Sequence, residues 1–293
     1  MNLTHLSCSA PAKLNLFLHV TGRRADGYHL LQTLFRFIDL HDTLHFDLRS
    51  DGVVHRTNAV DGVDEDQDLC VRAARLLQSE TGCGLGADIG LEKRIPMGGG
   101  LGGGSSDAAT TLLALNRLWS LGLSREKLME LGLRLGADVP VFVFGESAFA
   151  EGVGEKLQAF PLPVTWYVVL FPPVHVPTAK IFTHPELTRD SVSITMRALQ
   201  IGQSKQQADL SGVQLRNDLQ SVVCKLYPEV ASHISVLGMY GPAMMTGSGA
   251  CVFAEFASRD AAEVALGELQ EKYQMRGVVA QGLVAHPLHD WVW

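Results

Sequence analysis

A dense cluster of glycines limits the possible folds of this chain more than any other sequence feature does. Six of the 29 glycines lie between residues 98 and 104, in a segment that runs from Pro96 to Ser106. Glycine lets the backbone approach an anion closely and turn its N–H groups inward. Apolar residues at helical spacing follow, so we predict that a helix begins at Ser105 or Ser106 and adds unpaired N–H groups. The segment is a candidate phosphate-binding loop, and a mobile loop capped by serine is the alternative.

Motifs that the surrounding sequence lacks exclude several types of anion-binding site. Gly98, Gly100 and Gly103 match G-x-G-x-x-G. A dinucleotide-binding fold needs an acidic residue about 20 positions further on, and residues 118–123 contain none, which argues against an NAD-dependent oxidoreductase. The chain has no G-K-[ST], H-R-D or D-F-G sequence, which excludes a Walker loop and a protein kinase. The remaining interpretation is a loop that binds nucleotide phosphates in a family other than these three.

Charge and length limit the class of protein further. The 24 Lys and Arg against 31 Asp and Glu give a formal net charge of −7, which argues against a general nucleic-acid binder. At roughly 150 residues per domain, 293 residues indicate about two domains. Two prolines, at 161 and 163, mark a change in composition, so we predict domains at 1–160 and 161–293. Nothing in the sequence requires a dimer, and we expect a monomer or a weak homodimer.

Cysteine usage and hydropathy indicate a cytoplasmic protein. The five cysteines are odd in number and no pair is spaced C-x-x-C, so we expect reduced thiols and neither disulfides nor a zinc site. Residues 1–13 lack the pattern of a signal peptide. No apolar run approaches the roughly 18 residues that span a bilayer, so we expect no membrane association.

Hydrophobic periodicity predicts a mixture of strands and helices without strict alternation, which favours an α+β fold. Asp68 and Ser124 are candidate N-caps, and the sequence at 24–27 is typical of a turn. The predicted strands cover 14–20, 44–48, 141–144, 166–171, 251–256 and 278–284. The predicted helices cover 71–79, the segment after the glycine cluster, the segment after Ser124, and 217–226, 228–239 and 260–273.

Three motifs in order carry a resemblance to a known family. They are Pro-Ala-Lys-Leu-Asn at 11–15, the glycine cluster at 96–106, and Thr-Gly-Ser-Gly-Ala at 246–250. With them the chain resembles the GHMP kinase superfamily of small-molecule kinases. The doubled glycines and the sequences at 26–29, 136–142 and 149–155 resemble the branch whose substrate carries a cytidine diphosphate group. The resemblance covers about residues 10–284 and is thinnest over 188–212.

The resemblance implies a reaction and an architecture. It implies transfer of the ATP γ-phosphoryl group to the 2-hydroxyl of a CDP-linked methylerythritol, in the non-mevalonate route to isoprenoids. It also implies a two-domain fold with the active site in the cleft between domains. Mg²⁺ follows from the reaction class, with its protein ligands unassigned and Asp107 beside the loop. The alternatives are a homoserine- or mevalonate-type kinase and a nucleotide-binding protein without catalysis.

The resemblance assigns catalysis to two residues that the sequence alone leaves ordinary. Asp138 follows a predicted helix, where a turn carboxylate is the alternative; the resemblance makes it the catalytic base. Lys13 stands at the beginning of a predicted strand, where a solvated strand end is the alternative; the resemblance puts it beside Asp138. A neighbouring cation would keep that carboxylate ionised and offset charge on the phosphoryl oxygens.

The remaining site residues divide between the two ligands. For the cytidyl substrate, the resemblance implies that Tyr28 stacks on the base and His29 binds its polar edge, with Phe182 on the other face. A surface or packing role is the alternative for the Tyr28–His29 pair. The resemblance implies that the ATP-binding residues are Pro96, Met97, Gly98, Gly99, Gly100, Leu101, Gly102, Gly103, Gly104, Ser105 and Ser106. Asp68 is grouped with them, but it departs from the asparagine that is more usual near the adenine, so its role stays open. The other substrate-binding residues that the resemblance implies are Asn15, Thr178, Thr246, Gly247, Ser248 and Gly249.

Overall fold

The larger sheet lies in the first half of the chain. The structure is a computed structural model, and it describes residues 3–196 and 216–292. β1 and β2 are long antiparallel partners, with register shifts between Pro11 and Ala12, between Asn15 and Leu18, and between Val20 and Gly22. The strand order is β3-β4-β2-β5-β6, with β1 also paired to β2. The strands are β1 (His5–Arg23), β2 (His29–Arg49), β3 (Val54–Arg56), β4 (Gly86–Glu92), β5 (Ala148–Glu151) and β6 (Lys156–Ala159).

Four helices accompany this sheet, and their apolar residues join those of the strands in one buried core. The predicted caps are confirmed, because Asp68 accepts from the backbone N–H of Cys70 and Ser124 from that of Lys127. A short 3₁₀ segment, Glu65–Gln67, precedes the first helix. The helices are α1 (Leu69–Thr81), α2 (Gly103–Leu118), α3 (Arg125–Leu135) and α4 (Val139–Phe144).

The second sheet is antiparallel throughout, in the order β10-β7-β9-β8. Its core is filled by strand residues and by residues of the later helices. The strands are β7 (Trp166–Leu170), β8 (Ala243–Met245), β9 (Val252–Phe256) and β10 (Gly277–Gln281). The helices are α5 (Thr178–Phe182), α6 (Gln220–Leu226), α7 (Pro228–Leu237) and α8 (Arg259–Tyr273), and a 3₁₀ segment follows at His289–Trp291.

The two halves of the chain share packing. A third apolar cluster joins residues of β1 and β2, such as Leu14 and Ile38, with Tyr167 and Phe253 of the second sheet. Near the C-terminus the chain returns to the first core, where Leu288 packs. The predicted domain boundary at residue 160 falls between the two sheets and stays a prediction.

The α+β class is confirmed, and most predicted elements overlap observed ones, although β1 and β2 begin at His5 and His29, well before the strands predicted at 14–20 and 44–48. The predicted strand at 141–144 is wrong, because these residues form α4, whose side chains are nearly all buried. A short, continuously apolar run has no periodicity to separate a buried strand from a buried helix. The helix after the glycine cluster starts at Gly103, two residues before Ser105, because Gly102 is in the left-handed conformation at the N-cap. Residues 197–212 of the thin region of resemblance lie outside the described residues.

Among the described residues, the structure contains no helix that is long and apolar enough to cross a membrane.

Candidate active site

Most of the predicted site residues line one cavity of about 1010 Å³. Its walls come from both halves of the chain. The first half supplies residues of β1, the glycine cluster and the segment before α4, and the second half supplies the segments at 175–183 and 247–248. The predicted site residues in its wall are Lys13, Asn15, Tyr28, His29, Asp68, Pro96, Met97, Gly98, Gly99, Gly100, Leu101, Gly102, Gly103, Gly104, Ser105, Asp138, Thr178, Phe182, Gly247 and Ser248.

The two predicted catalytic residues are in direct contact. Lys13 lies on β1 with 3% of its side chain exposed, and its Nζ lies 3.3 Å from Oδ2 of Asp138. Asp138 immediately precedes α4 and is 36% exposed, so its carboxylate is open to the cavity. The Lys13 ammonium also lies 5.5 Å from the centre of the Phe35 ring. An ion pair with one buried and one accessible partner can present a carboxylate to a ligand without leaving the lysine unpaired.

Asn15 is buried between the lysine and a threonine pair. Lys13 and Asn15 point to the same face of β1 because side chains alternate along a strand. The Lys13 ammonium donates to Oδ1 of Asn15 at 2.5 Å, and Nδ2 of Asn15 donates to Oγ1 of Thr33 at 2.8 Å. The backbone N–H of Asn15 donates to Oγ1 of Thr246 at 2.9 Å. Asn15 therefore fixes the position of the Lys13 ammonium, whatever else it contacts.

The glycine cluster leads directly into α2, as predicted. Helix α2 begins at Gly103, and Gly103, Gly104 and Ser105 line the cavity. The backbone N–H groups of a helix's first turn have no partner inside the helix, and they lie at the positive end of its dipole. Ser106 differs, since it is fully buried and lies outside the cavity wall. Backbone N–H groups and Ser105 are therefore the donors available to an anion here.

A second loop holds the glycine cluster in place. The backbone N–H of Cys251 donates to the carbonyl of Gly99 at 3.0 Å. Gly100 has φ +76°, and a methyl group there would overlap the carbonyl oxygen of Thr246. Thr246 and Gly249 are buried outside the cavity wall, whereas Gly247 and Ser248 line it. Two residues of the predicted motif at 246–249 therefore line the cavity, and the other two pack behind its wall.

Aromatic side chains gather at one end of the cavity. Tyr28 is 64% exposed, and the rings of His29 and Phe182 lie 5.1 Å apart at an angle of 36°. Nearby, the hydroxyl groups of Thr178 and Ser248 are 2.7 Å apart. Residues that the sequence places more than 150 positions apart thus form one patch with an exposed ring, two half-buried rings and polar groups.

The His29 ring has a defined hydrogen-bond partner. Nε of Arg189 donates to Nε2 of His29 at 3.1 Å. Burial lowers the pKa of His29, and the charges of Arg189 and Arg23 lower it further. The ring is therefore held neutral, with Nε2 as an acceptor.

Asp68 has a structural role that the sequence showed only in part. Its Oδ1 accepts from the backbone N–H of Cys70 at 2.7 Å, and its Oδ2 accepts from the Arg56 guanidinium at 2.7 Å. Both side chains of the Arg56–Asp68 ion pair are nearly buried. The adenine contact of Asp68 stays a prediction, and any such contact would share an oxygen with these donors.

A buried charge cluster lies beneath the glycine cluster. The Lys93 ammonium bridges the carboxylates of Asp42 and Asp107 at 2.5 and 2.7 Å. Burial raises the pKa of Asp107, although the Lys93 ammonium opposes the shift. Lys93 and Asp107 line the cavity.

Sequence reasoning missed several residues of the wall or its support, because tertiary pairing alone brings them there. No local motif marks them; for Arg189 the signal would have been a cation near a predicted aromatic patch. They are Thr33, Lys93, His175, Arg189 and Asn217.

Comparison with known proteins agrees with the motifs. The model for the GHMP kinases N terminal domain matches residues 68–146, and that for the GHMP kinases C terminal matches residues 195–274. The 4-diphosphocytidyl-2-C-methyl-D-erythritol kinase of Nitrosospira multiformis is 61% identical, over 98% of this chain and 94% of its own. The enzyme of the same name from Thiobacillus denitrificans is 60% identical, over 97% of each chain.

Solved structures share the fold. A crystal structure of 4-(cytidine 5'-diphospho)-2C-methyl-D-erythritol kinase superposes with a TM-score of 0.80 at 36% identity, covering 94% of this chain and 99% of its own. A homoserine kinase from Cytophaga hutchinsonii has a TM-score of 0.71 at 16% identity, covering 98% of this chain and 96% of its own, which shows the fold alone. The chain therefore belongs to the GHMP kinase family, with its two-domain fold, and groups there with the 4-diphosphocytidyl-2-C-methyl-D-erythritol kinases.

Proposed function

We propose that this kinase transfers the γ-phosphoryl group of ATP to the 2-hydroxyl of 4-diphosphocytidyl-2-C-methyl-D-erythritol. The products are ADP and the 2-phosphate, and the step belongs to the non-mevalonate synthesis of isoprenoid precursors. One observation carries the proposal: the Lys13–Asp138 pair, the glycine cluster and the aromatic patch around His29 line the same cavity. A small alcohol without a base would leave that patch without a ligand.

In this mechanism Asp138 accepts the proton of the attacking hydroxyl. The hydroxyl oxygen forms a bond to the γ-phosphorus as the bond from phosphorus to the β,γ-bridging oxygen breaks, and ADP leaves with that electron pair. Lys13, held by Asn15 at 2.5 Å, lies beside that carboxylate and offsets charge on the transferring oxygens. Phosphoryl transfer depends mainly on positioning and electrostatics, so orientation of the hydroxyl by Asp138 matters as much as proton removal.

The two ligands occupy different ends of the cavity in this proposal. The ATP phosphates bind along the N–H groups of residues 98–105 at the start of α2. The cytosine ring lies between Tyr28 and Phe182, with its polar edge toward His29. Thr178, Gly247 and Ser248 contact the substrate on the part of the wall that the second half of the chain supplies.

ATP-dependent phosphoryl transfer also implies Mg²⁺, which neutralises charge on the phosphates when bound. The described residues contain no group of three or more His, Cys, Asp or Glu side chains that could hold a metal ion. Asp107, which is near the loop, is already paired with Lys93. These side chains fit a metal held mainly by ATP phosphates and water, with the Ser105 hydroxyl as the available protein donor.

We further propose a cytoplasmic enzyme that acts as a monomer or weak homodimer and binds neither nucleic acid nor membranes. Its formal charge of −7 disfavours nonspecific binding to nucleic acid and to anionic lipid surfaces.

The function is tested by measuring ADP release from ATP and Mg²⁺ with the cytidyl substrate, beside mevalonate and homoserine. Turnover with the cytidyl substrate alone is expected. Turnover with another alcohol only would keep the kinase and overturn the substrate. Folded protein that binds ATP and turns over none of the three would overturn the kinase reaction for these alcohols.

A further inference from the structure

Arg189 joins the His29 ring to the segment that carries Phe182. Its Nε donates to Nε2 of His29, and its Nη2 donates to the carbonyls of Phe182 and His184 at 2.9 and 2.8 Å. Its Nη1 donates to the carbonyl of Leu187 at 3.1 Å. The rigid fork of donors on a guanidinium is suited to this arrangement, and lysine could not reproduce it. One side chain thereby ties the His29 ring to the backbone that carries Phe182.

The contact between Arg189 and His29 decides where the imidazole carries its proton. A guanidinium only donates hydrogen bonds, so Nε2 of His29 must be the acceptor. A neutral imidazole with an acceptor at Nε2 carries its proton on Nδ1. His29 lines the cavity, so Nδ1–H is the donor that the ring can offer to a bound base.

We propose that Arg189 is a positioning residue for base recognition. It fixes His29 as an Nδ1–H donor and holds the His29 ring at a fixed position relative to the backbone of Phe182. The proposal deepens the proposed function and rests on it for the identity of the base. A pyrimidine that offers a ring-nitrogen or carbonyl acceptor, as cytosine does, satisfies such a donor. A fixed donor also rejects a base that presents an N–H at the same point, since two facing donors leave both unpaired.

Nitrogen-15 NMR of the His29 ring in the free protein tests the first half without any turnover. The wild-type ring is expected to be neutral with its proton on Nδ1, and Arg189→Met is expected to shift the proton toward Nε2. Arg189→Lys keeps a donor and a charge and is expected to retain the wild-type tautomer in part. A proton on Nε2 in the wild-type ring would overturn the proposal, whether or not any variant folds.

Steady-state kinetics tests the second half. We expect Arg189→Met to raise KM for the cytidyl substrate by about 10-fold, the loss of one to two hydrogen bonds, while kcat and KM for ATP change little. Arg259→Met, which removes an exposed arginine paired with Glu263, is the matched control and should leave all three constants unchanged. A kcat that falls while KM stays constant would overturn the positioning role.

A double-mutant cycle separates action through His29 from mere support of the Phe182 backbone. In the His29→Ala background, Arg189→Met should raise KM by less than about 2-fold, because its partner is already gone. Effects of the two substitutions that multiply would show that Arg189 acts independently of His29. If the wild-type enzyme does not phosphorylate the cytidyl substrate, the proposed function fails, while the NMR result still decides the Arg189–His29 relationship.

Discussion

The Lys13 ammonium lies 3.3 Å from the Asp138 carboxylate, the lysine buried on β1 and the aspartate open to the cavity. Lys13 also donates to Asn15, so its position does not depend on the aspartate alone. This arrangement keeps a cation and a carboxylate beside each other, where the proposed reaction requires a hydroxyl and a phosphoryl group to meet. The catalytic predictions follow from that pair.

Lys13→Met should lower kcat by about 10²- to 10³-fold, the usual range for loss of one electrostatic group in a site. Methionine keeps most of the packing against Phe35, so the melting temperature should change little. Steady-state kinetics and calorimetric ATP binding measure the two effects. Lys156→Met, at an exposed position of β6, is the control. A Lys13→Met enzyme with wild-type kcat would contradict the role of the ammonium group.

Tyr28→Ala should raise KM for the cytidyl substrate by about 10-fold, since stacking on a base contributes roughly 1–3 kcal/mol. Tyr28 is 64% exposed, so little folding stability is at stake. Tyr28→Phe keeps the ring and should stay close to wild type. If alanine and phenylalanine raise KM equally, the hydroxyl rather than the ring is responsible and stacking is wrong.

Gly100→Ala should destabilise the protein by about 1–3 kcal/mol and weaken ATP binding, because its φ is +76° and the methyl group overlaps the Thr246 carbonyl. Gly267→Ala lies within α8, where nothing is within 4 Å of the added methyl group, and should stabilise by up to about 1 kcal/mol. Denaturant unfolding with and without ATP measures both. Equal effects at the two glycines would contradict the close approach of the two loops.

Stability should fall as the solution is acidified from about pH 7, with His286 as one cause. Burial lowers the pKa of His286 to about 3, and its Nδ1 accepts from the backbone N–H of Leu288 at 3.0 Å. In the unfolded chain the same ring titrates near its ordinary value, so the unfolded state takes up the proton first as pH falls. From the shift in pKa, this group removes about 2 kcal/mol between about pH 7 and about pH 5.

His286→Gln should lose that part of the pH dependence, because glutamine does not titrate and can still accept from Leu288. His55→Gln, on an exposed part of β3, is the matched control and should keep the wild-type slope. The measurement is denaturant unfolding across the pH range. A His286→Gln slope equal to that of the wild type would contradict a neutral buried imidazole.

Local signals predicted local structure well. Asp68 and Ser124 cap helices because their side chains satisfy N–H groups that the sequence itself leaves unpaired. The strand predicted at 141–144 failed for the opposite reason, since its apolar residues carry no period and burial on all sides decides their conformation.

In the candidate site, too, contacts between distant parts of the chain were harder to predict than local structure. The pairing of Lys13 with Asp138 was expected from the family resemblance, because no local pattern joins β1 to the start of α4. The link between His29 and Arg189 had no signal beyond a cation near a predicted aromatic patch, since it depends on how a loop far along the chain folds back on the turn before β2. Residues whose role depends on contacts made only in the folded chain cannot be identified from a single sequence.

The central claim is that Asp138 serves the chemical step and not the binding of either ligand. Single-turnover quench-flow with Asp138→Asn, at saturating ATP, Mg²⁺ and cytidyl substrate, measures that step directly. We predict a rate about 10²- to 10⁴-fold below wild type, the range for general-base groups, with both ligands bound within about 3-fold of wild-type affinity by calorimetry. A wild-type single-turnover rate, or a loss explained by weaker binding alone, would contradict the account.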